Sequence, residues 1–199
     1  MIYYDVDLLQ NESKKLLHLT KPLHRLVSSN MKNSVSIRQA TRGDLHRLTA
    51  IYNQAVEAGL RTADTRTQTP IERRKWLENH LNSHRHPVFV ATVREEIAGY
   101  LSISPYRKGR EALRFAVEIS YYIDFDHHRK GIGSALMDHA LTFSKEKGLK
   151  TLFAILLETN TASIALLTKY GFEKWARLPN IADFGGIEIS QVYYGKRLK

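Results

Sequence analysis

Residues 116–140 read AVEISYYIDFDHHRKGIGSALMDHA, and their order decides the fold. Ala116 to Ile123 is apolar, β-branched and aromatic, which predicts a strand. A short acidic and basic turn leads into Arg129-Lys130-Gly131-Ile132-Gly133-Ser134. An amphipathic helix then begins, with Ile132, Leu136, Ala140 and Phe143 near one face. A strand that delivers a basic, glycine-containing loop to a helix start makes an anion site. The first helical N–H groups have no partner within the helix, the dipole adds about half a positive charge there, and glycine lets a ligand approach the backbone. A phosphate-binding Walker loop would need Lys after Gly133, and a dinucleotide fingerprint would need a third Gly where Leu136 stands, so both are excluded. The remaining alternative at this point is a tight turn with ordinary glycines.

Composition narrows the classes. The 199 residues suffice for one domain with a sizeable core, and 43% hydrophobic with 25% charged residues is ordinary for a globular chain. No apolar run approaches the ~20 residues that span a bilayer. The absence of cysteine removes disulfides, thiolate metal sites and thiol nucleophiles, and fits a reducing, cytoplasmic setting. The net charge of +10 would attract anions. Its Lys and Arg residues are dispersed, however, without an aromatic-interleaved basic block, which favours a solvated surface over a specific nucleic-acid site.

Residues 1–34 differ in pattern from the rest of the chain, with Leu16, Leu17, Leu19, Leu23 and Leu26 in a helix-like middle and a polar run from Ser28 to Ser34. The expectation is an N-terminal extension, either an arm or an upstream start preceding Met31, without the continuous apolar core of a signal peptide. From Val35, strands and helices alternate through 35–199. Ser36–Ala40 predicts a strand. Thr41 or Asp44 caps a helix through Leu45, Leu48, Ile51, Tyr52 and Ala55, ended by Gly59. Thr69-Pro70-Ile71-Glu72 is a strong helix start. Val88–Val93 and Ile97–Ile103 predict a hairpin turning at Arg94-Glu95-Glu96. Thr151–Leu157 predicts a strand and Asn160–Lys169 a helix, with closing strands at Glu173–Leu178 and Ile187–Leu198.

The loop spacing x-x-Gly-x-Gly after a carboxylate-bearing strand resembles the GNAT superfamily of N-acetyltransferases. Two further segments agree: Asn160-Thr161-Ala162-Ser163 through Gly171-Phe172, and Tyr52-Asn53 with Thr62-Ala63-Asp64-Thr65, Thr69-Pro70 and Trp76. The last set is similar to the phosphinothricin acetyltransferase-like branch. The resemblance implies an α+β fold, three-layer α/β/α, with a mixed, mostly antiparallel sheet flanked by helices. It implies acetyl-coenzyme A as co-substrate, no metal, and a small amino-acid-like amine as acceptor, of the phosphinothricin, methionine sulfoximine or sulfone type. It implies that Tyr121, Tyr122 and Ile123 offer backbone groups to the pantetheine arm and thioester. His128, Arg129, Lys130, Gly131, Ile132, Gly133 and Ser134 would hold the pyrophosphate, and Asn160 would hydrogen-bond the pantetheine arm. Glu118 would be the catalytic carboxylate, because an α-ammonium must lose a proton before it can attack. The competing role for Glu118 is a structural pair with Arg114 or Arg110. The partner expectations are a small amine, no specific nucleic acid and no membrane, with a homodimer left open.

Several positions depart from the family pattern. His128 stands for Gln or Arg, and Leu167 for a Tyr or His that protonates the departing thiolate. Ala63-Asp64 stands for a Phe-Arg pair linked with acceptor recognition, and the C-terminal hairpin reads Phe184-Gly185-Gly186-Ile187-Glu188 without the branch's histidines. These departures keep other acceptors open (a protein N-terminus, a polyamine, an aminoglycoside), and also a non-catalytic acetyl-coenzyme A binding module. His80, His84 and His86 cluster in sequence, but no Glu follows His80 in the zinc-protease manner. Trp76 and Trp175 read as packing residues.

Overall fold

A computed structural model describes residues 34–199, so the expectations for the preceding residues lie outside the described part. Val35–Thr92 with Glu96–Lys199 form one compact unit. Its sheet comprises β1 (Val35–Gln39), β2 (Val88–Val93), β3 (Glu96–Pro105), β4 (Ala116–Ile123), β5 (Thr151–Leu157), β6 (Glu173–Asp183) and β7 (Glu188–Arg197). The helices are α1 (Leu45–Glu57), α2 (Pro70–Leu81), α3 (Ile132–Glu146) and α4 (Thr161–Lys169). Strand order is β1-β2-β3-β4-β5-β7-β6. The β3–β4, β5–β7 and β6–β7 pairs are antiparallel and β4–β5 is parallel. This is the mixed, mostly antiparallel sheet flanked by helices that the family resemblance implied.

Local chemistry sets the helix ends. Thr69 accepts from the Glu72 N–H while the Glu72 carboxylate accepts from the Thr69 N–H, with Pro70 in the first turn of α2. At α1 the two candidate caps act together: Thr41 and Asp44 form a capping box on a 3-10 turn, Arg42–Asp44, that runs straight into the helix. Ala58 and Gly59, the latter at φ 66°, end α1. The β2–β3 hairpin turns at Arg94 and Glu95, with φ of 51° and 70°.

Both faces of the sheet are covered. Leu48, Ile51, Leu77, Val88, Val90 and Tyr100 form a buried cluster beneath α1 and α2. On the opposite face Ile132, Leu136, Met137 and Ala140 of α3 are fully or nearly fully buried, matching the apolar face read from the sequence. One strand differs from expectation: β6 continues past Leu178 to Asp183. Its register against β7 shifts between Leu178 and Ala182, where Pro179 cannot donate to a ladder. A bulge absorbs that break and the strand resumes.

Candidate active site

The site begins where two strands part. Parallel pairing of β4 and β5 covers Ala116–Glu118 against Thr151–Phe153. Beyond Glu118, β4 stays with β3 as far as Ile123, while β5 stays with β7 as far as Leu157. The sheet therefore opens between β4 and β5, and Glu118 sits at the fork. A cleft of about 220 Å³ occupies the opening. Its walls are Glu118–Tyr122, Ala154–Leu157, Asn160, Ser163 and Leu167, with Arg61, Thr62 and Ala63 at the rim and Gln191 below. The Tyr121 hydroxyl donates to the Ser163 carbonyl at 3.3 Å, fastening α4 across the opening. Burial pushes that hydroxyl up to about 12, so it stays protonated at neutral pH.

The glycine loop lies next to the fork. Asp124 is buried and accepts from Arg47 at 2.6 Å, from Gln54 at 3.2 Å and from the Asp126 N–H at 2.9 Å. Burial opposes its charge, but the Asp126 N–H, Arg47 and Gln54 outweigh it and hold the carboxyl below its ordinary range. The turn is thus anchored to α1. The His128 ring is hydrogen-bonded through Nε2 to the Ile123 carbonyl at 3.1 Å, and the Lys130 ammonium to the Asp126 carbonyl at 2.6 Å. Both side chains brace the turn in this structure. Arg129 remains exposed.

Arg129 and Gly131 adopt left-handed conformations, φ 59° and 81°, the backbone type from which anion-binding nests are built. No side chain caps α3, so the Ile132, Gly133 and Ser134 amides face outward. A Cβ on Gly131 would meet nothing within 4 Å, whereas one on Gly133 would come within 3.1 Å of Leu166 Cδ2. Gly131 is needed for its backbone conformation and Gly133 for the close approach of α4. The Lys169 ammonium donates to Ser134 Oγ at 3.1 Å, and Tyr170 Oη donates to the Ser134 carbonyl at 3.0 Å. Lys169 is a loop cation that the sequence reading missed; its position 35 residues downstream of Ser134 gave no local signal.

Glu118 is half-buried and has no ion pair among the described residues. The competing partner Arg114 pairs with Glu111 instead, at 3.2 Å. Burial raises the Glu118 carboxyl above its usual range, with Arg107 pulling weakly the other way. Leu167 is fully buried in the cleft wall and offers no proton. Asn160 caps α4, its Oδ1 accepting from the Ser163 N–H at 3.3 Å.

On the α1–α2 face, Asp64 accepts from Tyr52 Oη at 2.5 Å and from Gln68 Nε2 at 2.6 Å. Arg73 is buried above the rings of Tyr52 (4.1 Å) and Trp76 (4.4 Å) and donates to Tyr100 Oη at 3.1 Å. Tyr122 completes this wall, 4.9 Å from Tyr52 and 5.4 Å from Tyr100 between ring centroids. Trp76 packs on the core cluster. Trp175 packs edge-on against Phe153 and fills the space a side chain at Gly195 would need. The three histidines form no metal-binding group among the described residues: His80, in the last turn of α2, faces the sheet with His86 near it, while His84 and His86 lie in the loop beyond.

The model of the acetyltransferase (GNAT) family matches residues 48–172. A phosphinothricin N-acetyltransferase of Streptomyces coelicolor is 35% identical over 140 residues, covering 69% of this chain and 81% of that protein. An L-methionine sulfoximine/L-methionine sulfone acetyltransferase of Pseudomonas aeruginosa is 32% identical over 154 residues, covering 75% and 87%. The crystal structure of a GNAT superfamily phosphinothricin acetyltransferase from Sinorhizobium meliloti in complex with acetyl-coenzyme A superposes with a TM-score of 0.77 at 27% identity, covering 82% of this chain and 88% of that one.

Proposed function

The chain belongs to the GNAT family of acetyl-coenzyme A-dependent N-acetyltransferases, and from that membership we propose that its acceptor is the α-amine of a small amino-acid-like molecule, with Glu118 as the proton acceptor. The observation that carries this reading is the fork: one half-buried carboxylate stands where β4 and β5 part, beside a helix start with free amides.

The residues present suit acetyl-coenzyme A. The nest at Arg129–Gly131, the Ile132–Ser134 amides and the Lys169 ammonium would hold the pyrophosphate. The open edge of β4 at Tyr121, Tyr122 and Ile123, with Asn160 opposite, would hold the pantetheine arm. When bound, acetyl-coenzyme A supplies the activated acetyl group at the cleft. Amides of the open β4 edge stabilise negative charge that develops on the carbonyl oxygen. Glu118 accepts a proton from the acceptor ammonium, directly or through water. Its raised pKa makes it a stronger base than an ordinary carboxylate. Leu167 donates nothing, and with an ordinary thiol pKa of ~8.5 the coenzyme A thiolate can leave unaided and be protonated by water.

The Asp64 carboxylate, with Tyr52 and Gln68, favours a second acceptor class that carries an additional cation, such as a polyamine. A purely binding role is disfavoured by the intact Glu118. A cytoplasmic location accompanies the use of acetyl-coenzyme A; no helix among the described residues is long and apolar enough to cross a membrane. A homodimer is part of the same reading, because Ile181 on the edge strand β6 and Ile187 in the β6–β7 turn are 59% and 58% exposed; light scattering tests it.

The deciding experiment measures free thiol released from acetyl-coenzyme A. The acceptors are L-methionine sulfone, L-methionine sulfoximine, phosphinothricin, the common amino acids and spermidine. Turnover above hydrolysis with an amino-acid-type acceptor is expected. Release with spermidine alone would replace the acceptor class, and hydrolysis alone throughout would overturn the reading.

A further inference from the structure

Residues on the α1–α2 face of the sheet alternate along β3 and β4. Tyr100, Ser102 and Ser104 stand opposite Tyr122, Ser120 and Glu118 in the antiparallel register. Directly opposed residues share a face, with Cβ atoms about 4.5–5.5 Å apart. Ser104 is therefore the cross-strand neighbour of Glu118. Above it stands His80, the last buried polar residue of α2, only 7% exposed. His80 Nε2 lies 3.0 Å from Ser104 Oγ, and His80 Nδ1 lies 2.8 Å from the Trp76 carbonyl oxygen.

We propose that His80 and Ser104 are positioning residues for Glu118, with His80 fixing the direction of the Ser104 hydroxyl so that Ser104 presents Glu118 with a hydrogen-bond acceptor and no donor. This inference rests on the reading of Glu118 as the base. A carbonyl oxygen only accepts, so His80 Nδ1 carries a proton. Burial lowers the His80 pKa, the hydrogen bond to the Trp76 carbonyl opposes it and the nearby Arg73 adds to it, with a net shift downward, so the ring is neutral and Nε2 is an acceptor. The Ser104 O–H must then donate to His80, leaving its lone pairs for the Glu118 side.

The arrangement affects the base in two ways. Ser104 gives the carboxylate form no stabilising hydrogen bond. Once Glu118 has taken the amine proton, its new O–H finds an acceptor in Ser104 Oγ. Both effects favour proton uptake, in the same direction as burial. The other groups facing this pair are Arg107, which acts on Glu118, Tyr122 on the same strand, and His86, which neighbours His80. None of them reverses the hydroxyl, because both ring nitrogens of His80 are already engaged.

The test is a carboxyl NMR titration of the whole chain carrying 13C-labelled glutamate, with the Glu118 signal assigned by its loss in Glu118→Gln. Ser104→Ala removes the acceptor. His80→Phe keeps the aromatic packing on Trp76 but frees the Ser104 O–H to donate to the carboxylate. Each should lower the Glu118 midpoint by about one pH unit, and Ser104→Thr should leave it near the wild-type value. An unchanged midpoint in both folded variants would overturn the proposal. Should His80→Phe fail to fold, Ser104→Ala against Ser104→Thr decides alone. Failure of the underlying reading would look different: Glu118→Gln would retain full thiol release whatever the midpoints show.

Discussion

The Lys169 ammonium reaches back from the end of α4 to Ser134 Oγ, 3.1 Å away, and so places a cation on the first turn of α3. The loop read from the sequence as a local motif is therefore completed by a residue from another helix.

Replacing Lys169 with Ala should weaken acetyl-coenzyme A binding about three- to tenfold, the scale of one exposed charge contact. The deficit should shrink at high salt, because screening already weakens the wild-type contact. Calorimetry at low and high ionic strength checks it. An affinity unchanged at low salt would remove Lys169 from the phosphate site.

Glu118→Gln keeps the side-chain shape and removes the proposed base. Turnover should fall by roughly 10²-fold or more with little change in cofactor affinity. The sign of the pH dependence comes from the raised Glu118 pKa. The active carboxylate form is lost as pH falls, and this acid limb should lie above the ordinary carboxylate range. At high pH, where more acceptor amine is already neutral, the defect of the variant should diminish. A variant with the wild-type rate and profile would make Glu118 structural.

Asp64→Asn should lower catalytic efficiency toward a cationic acceptor several-fold more than toward a neutral amino acid, because it removes charge and retains a hydrogen-bond acceptor for Tyr52 and Gln68. Steady-state kinetics with paired acceptors measure the ratio. Equal losses for both would confine Asp64 to holding the α1–α2 loop.

A chain beginning at Met31 should keep its melting temperature and its turnover, because the seven-stranded sheet and the cleft are both built from Val35 onward. Thermal unfolding and the thiol assay on both lengths decide this. Lost turnover in the shorter chain would show that the preceding residues serve the domain.

Much of the fold was legible because its signals are short-ranged. The Thr69-Pro70-Ile71-Glu72 start, the Arg94-Glu95 turn and the apolar face of Ile132, Leu136 and Ala140 each depend on residues a few positions apart. The glycine loop was legible for the same reason, since a helix start and its preceding turn are contiguous. Three features came only from the tertiary structure. The cleft exists because β4 and β5 stop pairing after Glu118 and Phe153, and strand register is fixed by packing between segments distant in the chain. Lys169 joins the loop only because α4 packs against α3 at Gly133. His80, ambiguous in sequence as one of three nearby histidines, gains its place over Ser104 only once α2 lies on the sheet. Sequence periodicity fixes which face of an element is buried, while long-range register fixes which side chains meet there, as it sets Ser104 opposite Glu118 across β3 and β4.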